Sequence, residues 1–148
     1  IEYSEIGINY LKNISEIIKK NNGGALIIDY GYFEEKMKNT LQAISNKKQS
    51  SILDNIGNSD ITHNINFYLF KKIIRKIGKI KDITTTQRNF LLKLGIKQRA
   101  EIISKKLPFS KKADIYYRLK RLIDQKQMGD LFKVMFIKNK NNKFNLGF

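Results

Sequence analysis

The sequence contains no cysteine, a single histidine and a single proline. Without cysteine there can be no disulfide, no thiolate metal centre and no sulfur nucleophile, which fits a reducing compartment. One histidine, His63, cannot build a histidine zinc cluster or an H-E-x-x-H helix. No apolar run approaches the roughly 18 residues that a membrane-spanning helix needs. No signal-peptide pattern is visible from the first residue, and a cytoplasmic location is the expectation. The chain opens on Ile1 rather than Met, so the sequence is expected to start inside a longer polypeptide. Its 148 residues are the size of one domain with a real core. No internal repeat and no interdomain linker can be read.

Acidic residues are also scarce, 13 against 29 Lys and Arg, for a formal charge of +16. Such an excess is what a nucleic-acid or anionic-membrane binder carries. The basic residues are overwhelmingly Lys, however, and Arg is the residue that grips phosphate and base edges bidentately. Ile, Lys and Asn are all abundant, and all three have A/T-rich codons. Compositional drift therefore accounts for the excess better than a polyanion partner does.

What is present reads as alternating helices and strands. Glu5 to Lys20 repeats Ile6, Tyr10, Leu11, Ile14, Ile17 and Ile18 at helical spacing, with Ser4 as N-cap. Asn21 to Gly24 stops that helix, and Ala25 to Ile28 follow as an apolar run ending at Asp29, the pattern of a strand buried on both faces. Tyr30 to Asn64 reads as a long loop. Ile65 to Ile77 predicts a helix stopped by Gly78, and Ile80 to Thr84 a short strand. Helical segments follow through Phe90, Leu94, Ala100 and Ile103 until Pro108. Ser110 is the expected cap of another helix, which Met128-Gly129 closes. Leu131 to Ile137 is a last strand, and the polar tail from Lys138 is expected to fray. The class is α/β, with too few strands here to cover a sheet.

Four segments in order carry a resemblance: GGALIIDYGY (Gly23–Tyr32) with TLQA (Thr40–Ala43), DITHNINF (Asp60–Phe67), TQRNFLLKLGIKQRA (Thr86–Ala100) and MGDLFKV (Met128–Val134). Together with Glu2-Tyr3-Ser4 they resemble the C-terminal half of the MidA-like methyltransferases, the group that includes the arginine methyltransferase acting in respiratory complex I assembly. The resemblance implies the later part of a Rossmann-like class I methyltransferase sheet. Ala25–Asp29 would be its fifth strand, Ile80–Thr84 its sixth and Leu131–Ile137 its antiparallel seventh, with a helical insertion at about 87–127. Residues 1–137 would then be one portion of a methyltransferase domain. The cofactor implied is S-adenosylmethionine, held mostly by an upstream half, since no glycine-rich loop follows a strand here. The partners implied are a protein substrate, that upstream half, and a second copy of the chain as a homodimer. The sequence departs from the family at Lys47, His63, Asn64 and Asn66, where histidine or acidic groups are usual or are displaced.

The same resemblance implies site residues. An arginine methyltransferase needs carboxylates to orient the guanidinium, and open α/β sheets bind ligands at the carboxyl ends of their strands. Asp29 is the first such candidate and Glu2 the second; turn bonding and a solvated terminal charge are their structural alternatives. Tyr30, Gly31, Tyr32, Gln42, Asp60, Thr62 and Gln87 are the expected cleft residues, with helix capping the alternative for Asp60 and Thr62. Three functions compete on these grounds: part of a methyltransferase, a non-catalytic remnant of one, and a basic nucleic-acid module. The last lacks an RNP-like strand, a GxxG loop and a helix-turn-helix.

Overall fold

The computed structural model describes residues 2–148. Helix α1 (Glu5–Asn21) is capped by Ser4, whose hydroxyl accepts from the Gly7 amide at 3.0 Å, and ends at Asn22 in the left-handed region. Strand β1 (Gly24–Tyr32) leads to a small antiparallel sheet of β2 (Gln42–Ser45), β3 (Lys48–Ser50) and β4 (Asp60–Thr62). The two-residue β5 (Ile65–Asn66), α2 (Phe67–Ile77) and β6 (Ile80–Thr86) come next. Three helices follow, α3 (Gln87–Lys93), α4 (Ile96–Ser104) and α5 (Phe109–Ile123), then an irregular turn over Gln125–Gly129 and the final strand β7 (Phe132–Asn139).

The main sheet runs β5-β1-β7-β6. The last strand of the chain lies antiparallel between β1 and β6, pairing Ile27 with Met135 on one side and Thr84 with Met135 on the other. The antiparallel run of this last strand is what the resemblance implied for a seventh strand. Along β7 alternate residues face opposite ways. Met135 and Ile137 meet Leu11 and Ile18 of α1, Phe67 and Ile74 of α2, and Ile80. Phe136, on the other face, stacks with Phe148 and meets Phe144, and Phe148 packs in turn on Phe90 of α3.

Several expectations change. β1 is not buried on both faces: Ala25 and Ile27 join the core, but Leu26 and Ile28 are 47% and 45% exposed on the face that α1 and α2 do not cover. The stretch 30–64 is not a loop throughout. Asn46 and Lys47, at φ 52° and 62°, make a tight hairpin between β2 and β3, the geometry of an I′ turn. Asp60 and Thr62 cap no helix; they lie in β4, and Asn66 caps α2 by accepting from the Leu69 amide at 3.0 Å. Ser110 is likewise no cap, since α5 starts at Phe109 directly after Pro108, without a side-chain cap. That helix ends at Ile123, before Met128-Gly129. Gly129 belongs to the irregular turn, where a Cβ would come within 2.6 Å of the Ile123 carbonyl, so only glycine fits.

The tail from Lys138 folds back rather than fraying. Lys138 is buried, with Nζ donating to the Phe144 carbonyl and to Asn145 Oδ1. Asn139 Nδ2 donates to the Lys19 carbonyl at 3.0 Å, and Asn142 reaches the Asn22 and Gly23 carbonyls. Asparagine supplies the amide donors that the end of α1 lacks, a use that periodicity does not reveal.

Candidate functional site

Past the carboxyl end of β1 the chain leaves an open cleft. One lobe, about 520 Å³, is walled by Tyr30, Asn39, Thr40, Leu41, Gln42 and Asn64 among others. The second, about 390 Å³, is walled by Gly31, Tyr32, Glu34, Lys38, Asp130 and Lys133 among others. Asn64 and Leu131 line both lobes, so the two are adjacent.

A hydrogen-bond network fixes the first wall. Glu2 Oε1 accepts from the amides of Thr40 (2.8 Å) and Leu41 (3.0 Å), and its Oε2 accepts from the Thr40 hydroxyl at 2.7 Å. The same hydroxyl accepts from the Asn64 amide at 2.9 Å. Through Thr40, one carboxylate thus ties together the segments before α1, before β2 and before β5: the Glu2-Tyr3-Ser4 opening and two of the four stretches that carried the resemblance. The Thr40 hydroxyl, with the two amides, holds the Glu2 carboxyl below the usual carboxylate range. Gln42 Nε2 donates to Thr62 Oγ1 at 3.1 Å and stiffens the wall from below.

Gly31 is placed by packing. A Cβ there would lie 2.5 Å from both the Ile65 carbonyl and the Phe67 ring, so its absence lets β5 and the start of α2 close against β1. Tyr32 is buried, its hydroxyl accepts from the Lys38 amide at 3.2 Å, and Lys38 Nζ lies 5.1 Å from its ring centre. Lys38 also pairs with Glu34 at 2.6 Å, and that bond holds the Glu34 carboxyl below its ordinary value. Lys133 donates to the Asp130 carbonyl, and desolvation pushes its ammonium below the usual lysine range.

Among the sequence candidates, Tyr30, Gly31, Tyr32 and Gln42 come together at the cleft. Asp29 does not wall it: β1 runs on to Tyr32, and Asp29 Oδ1 accepts from the Tyr30 amide at 2.8 Å. Glu2 spends its carboxylate on the wall. Thr62 supports Gln42, and Asp60 is exposed in β4. Gln87 is buried away from the cleft, where its Nε2 donates to the Leu122 carbonyl at 2.9 Å, beside Arg88 on the Ile123 carbonyl at 2.7 Å. Together they satisfy the end of α5. Glu34 and Asp130, the acidic residues at the cleft, were missed by sequence reasoning. MGDLFKV did mark the second, as part of a motif rather than as chemistry. His63 is exposed, with Nδ1 3.2 Å from the Asn64 carbonyl. No metal-binding cluster occurs among the described residues.

The fold is that of two solved structures from Burkholderia thailandensis. They match with TM-scores of 0.80 and 0.79 at 20% identity, over 98% of this chain and 40% and 38% of theirs; the second was solved bound to S-adenosyl-homocysteine. The sequence profile of a family described as "Putative S-adenosyl-L-methionine-dependent methyltransferase" matches residues 1–85, more than half of the chain. The chain belongs to that family. It is also 26% identical over 140 residues to the Danio rerio "Protein arginine methyltransferase NDUFAF7, mitochondrial", covering 92% of this chain and 32% of that protein. The Drosophila melanogaster homologue of that name is 28% identical over 124 residues, 82% of this chain and 28% of its own length. The chain therefore spans under a third of the length of these curated relatives. Their names also overturn the expected cytoplasmic location: the zebrafish, Xenopus tropicalis and Drosophila relatives are all called mitochondrial.

Proposed function

We propose that this chain is the C-terminal part of an S-adenosylmethionine-dependent protein arginine methyltransferase, and that it forms the substrate-side wall of the active cleft. The observation that carries the reading is the cleft past the carboxyl end of β1, where Tyr30, Gly31, Tyr32 and Gln42 converge under the Glu2–Thr40–Asn64 network. Open α/β sheets use that edge for ligands. The names of the relatives supply the substrate class, and a mitochondrial setting comes with the same names.

The cofactor's own cradle does not fit these residues. No strand here is followed by a glycine-rich turn, and the glycines that β1 contains serve packing. S-adenosylmethionine is therefore held by residues outside this chain, and the chain alone does not bind it measurably.

On the substrate side, Asp130 replaces Asp29 and Glu2 as the carboxylate that meets a guanidinium. It walls the cleft, whereas the carboxylate of Asp29 is bonded to the Tyr30 amide, that of Glu2 is committed to Thr40 and Leu41, and that of Glu34 is held by Lys38 and the Phe33 amide. A paired carboxylate holds guanidinium in a plane and keeps its charge in place. The test is methyl transfer to arginine peptides by the full polypeptide. Asp130→Asn lowers turnover by about tenfold or more with an unchanged melting temperature, and Asp29→Asn leaves turnover within about twofold. The opposite ranking would return the role to Asp29.

A further inference from the structure

The corner between α4 and α5 projects apolar side chains that nothing in the described structure covers. Ile102 is 74% exposed and Phe109 86%, and Ile103 and Leu107 beside them are also exposed. The corner is a fixed shape: the Lys105 amide donates to the Ile102 carbonyl, and the Leu107 amide to that of Ser104 at 3.0 Å. Directly after Pro108 begins α5, a helix of 15 residues with none fully buried.

Charge at the corner is of one sign. Lys105, Lys106, Lys111 and Lys112 flank the apolar tip, and no acidic residue occurs between Glu101 and Asp114. None of the four lysines forms an ion pair among the described residues. The chain-wide lysine excess carries no such meaning by itself. Here the lysines surround protruding Ile, Leu and Phe side chains, and that combination is specific to the corner.

From this geometry we infer that the α4–α5 corner is a membrane-surface contact that inserts Ile102, Leu107 and Phe109 among the headgroups of an anionic bilayer. Interfacial segments combine apolar tips with a basic rim in this way, the lysine stems lying along the acyl boundary while the ammonium groups meet phosphate. A convex tip needs no shaped pocket in a fluid interface. A second copy is disfavoured, because two such corners face to face would bring eight unpaired lysines together. No helix among the described residues is long and apolar enough to cross a membrane, so the contact is peripheral. The inference is independent of the reading of the cleft.

The test is flotation of the full polypeptide with vesicles of mixed phosphatidylcholine and phosphatidylglycerol, against vesicles of phosphatidylcholine alone. Binding to the mixed vesicles only, weakened by added salt, is the expected result. Phe109→Ser with Ile102→Ser lowers the partition by about tenfold or more. Lys105→Gln and Lys106→Gln each lower it by about fivefold. Because Phe109 and Ile102 make little packing contact, the double variant keeps the parent melting temperature. Equal partition of parent and double variant would overturn the inference. So would a fall in melting temperature, or a dimer that the double variant breaks, since each makes the corner a protein-packing surface.

Discussion

β7 and β1 run side by side with similar apolar content, and they end in different environments. Val134, Met135 and Ile137 of β7 are fully buried, whereas Leu26 and Ile28 of β1 stand almost half exposed. β7 has a partner on each edge; β1 has β7 on one side and, on the other, only the two-residue β5 at Gly31 and Tyr32. Along Gly24–Tyr30 that outer edge is unpaired among the described residues. The lesson is about neighbours rather than composition: an apolar strand is buried only where other elements exist to cover it. An edge with free amides and carbonyls beside exposed Leu and Ile is a template for one more strand.

Core truncation on the two strands separates them most sharply. Ile137→Ala costs about 2–5 kcal/mol in urea unfolding, because the site cannot collapse around the cavity. Ile28→Ala costs about 1 kcal/mol or less, since part of its surface is already in water. Equal losses would mean that the open face is covered after all. Gly31→Ala is next: the added methyl presses on Phe67 and the Ile65 carbonyl, for a loss of about 1–3 kcal/mol. Its effect reports whether the short β5 contact is what closes the open side.

Glu2→Gln comes third and depends on pH. The folded-state pKa of Glu2 is lowered, so its carboxylate contributes stability that is complete above the unfolded value and lost as pH falls through the folded one. Parent and variant should differ by about 1 kcal/mol near neutrality. They should converge as pH falls below the ordinary carboxylate range. Parallel pH curves would show that the network at the cleft wall does not rely on the charge.

These differences track what could be read from the residues alone. Helices α1 and α2 and strands β6 and β7 were legible from their apolar stripes and runs; that β7 lies between β1 and β6 came only with the structure. The small β2–β3–β4 sheet was not. Its hairpin turns on Asn46-Lys47, where lysine takes a left-handed conformation that usually marks glycine or asparagine. The cleft was half legible: Tyr30, Gly31 and Tyr32 stand at a strand end that sequence can locate to within a few residues, and Gln42 was marked by the TLQA motif. Asp29 failed on that margin, because β1 extends to Tyr32. Glu2 and Thr40 meet across 38 positions, and no local pattern announces a contact at that separation.

Asn66→Asp gives the smallest effect and bears on the open side directly, since Asn66 pairs with Tyr32 in the short β1–β5 ladder. The resemblance implies an acidic residue here, so the asparagine reads from sequence as a lost carboxylate near the cleft. In the structure Asn66 is mostly buried and its Oδ1 caps α2 through the Leu69 amide. Asparagine and aspartate serve about equally as N-caps, and the aspartate charge gains a few tenths of a kcal/mol from the helix dipole. Burial beside Tyr32 offsets that gain. The net change in unfolding free energy near neutral pH should therefore stay within about 0.5 kcal/mol. Any gain should disappear in acid, as the new carboxylate is protonated. Asn66→Ala, which removes the cap, should cost about 1 kcal/mol at every pH. Methyl transfer by the full polypeptide should be unchanged by Asn66→Asp. A rise of about tenfold would show that the position acts on substrate, and that this chain has lost a catalytic group instead of keeping a cap.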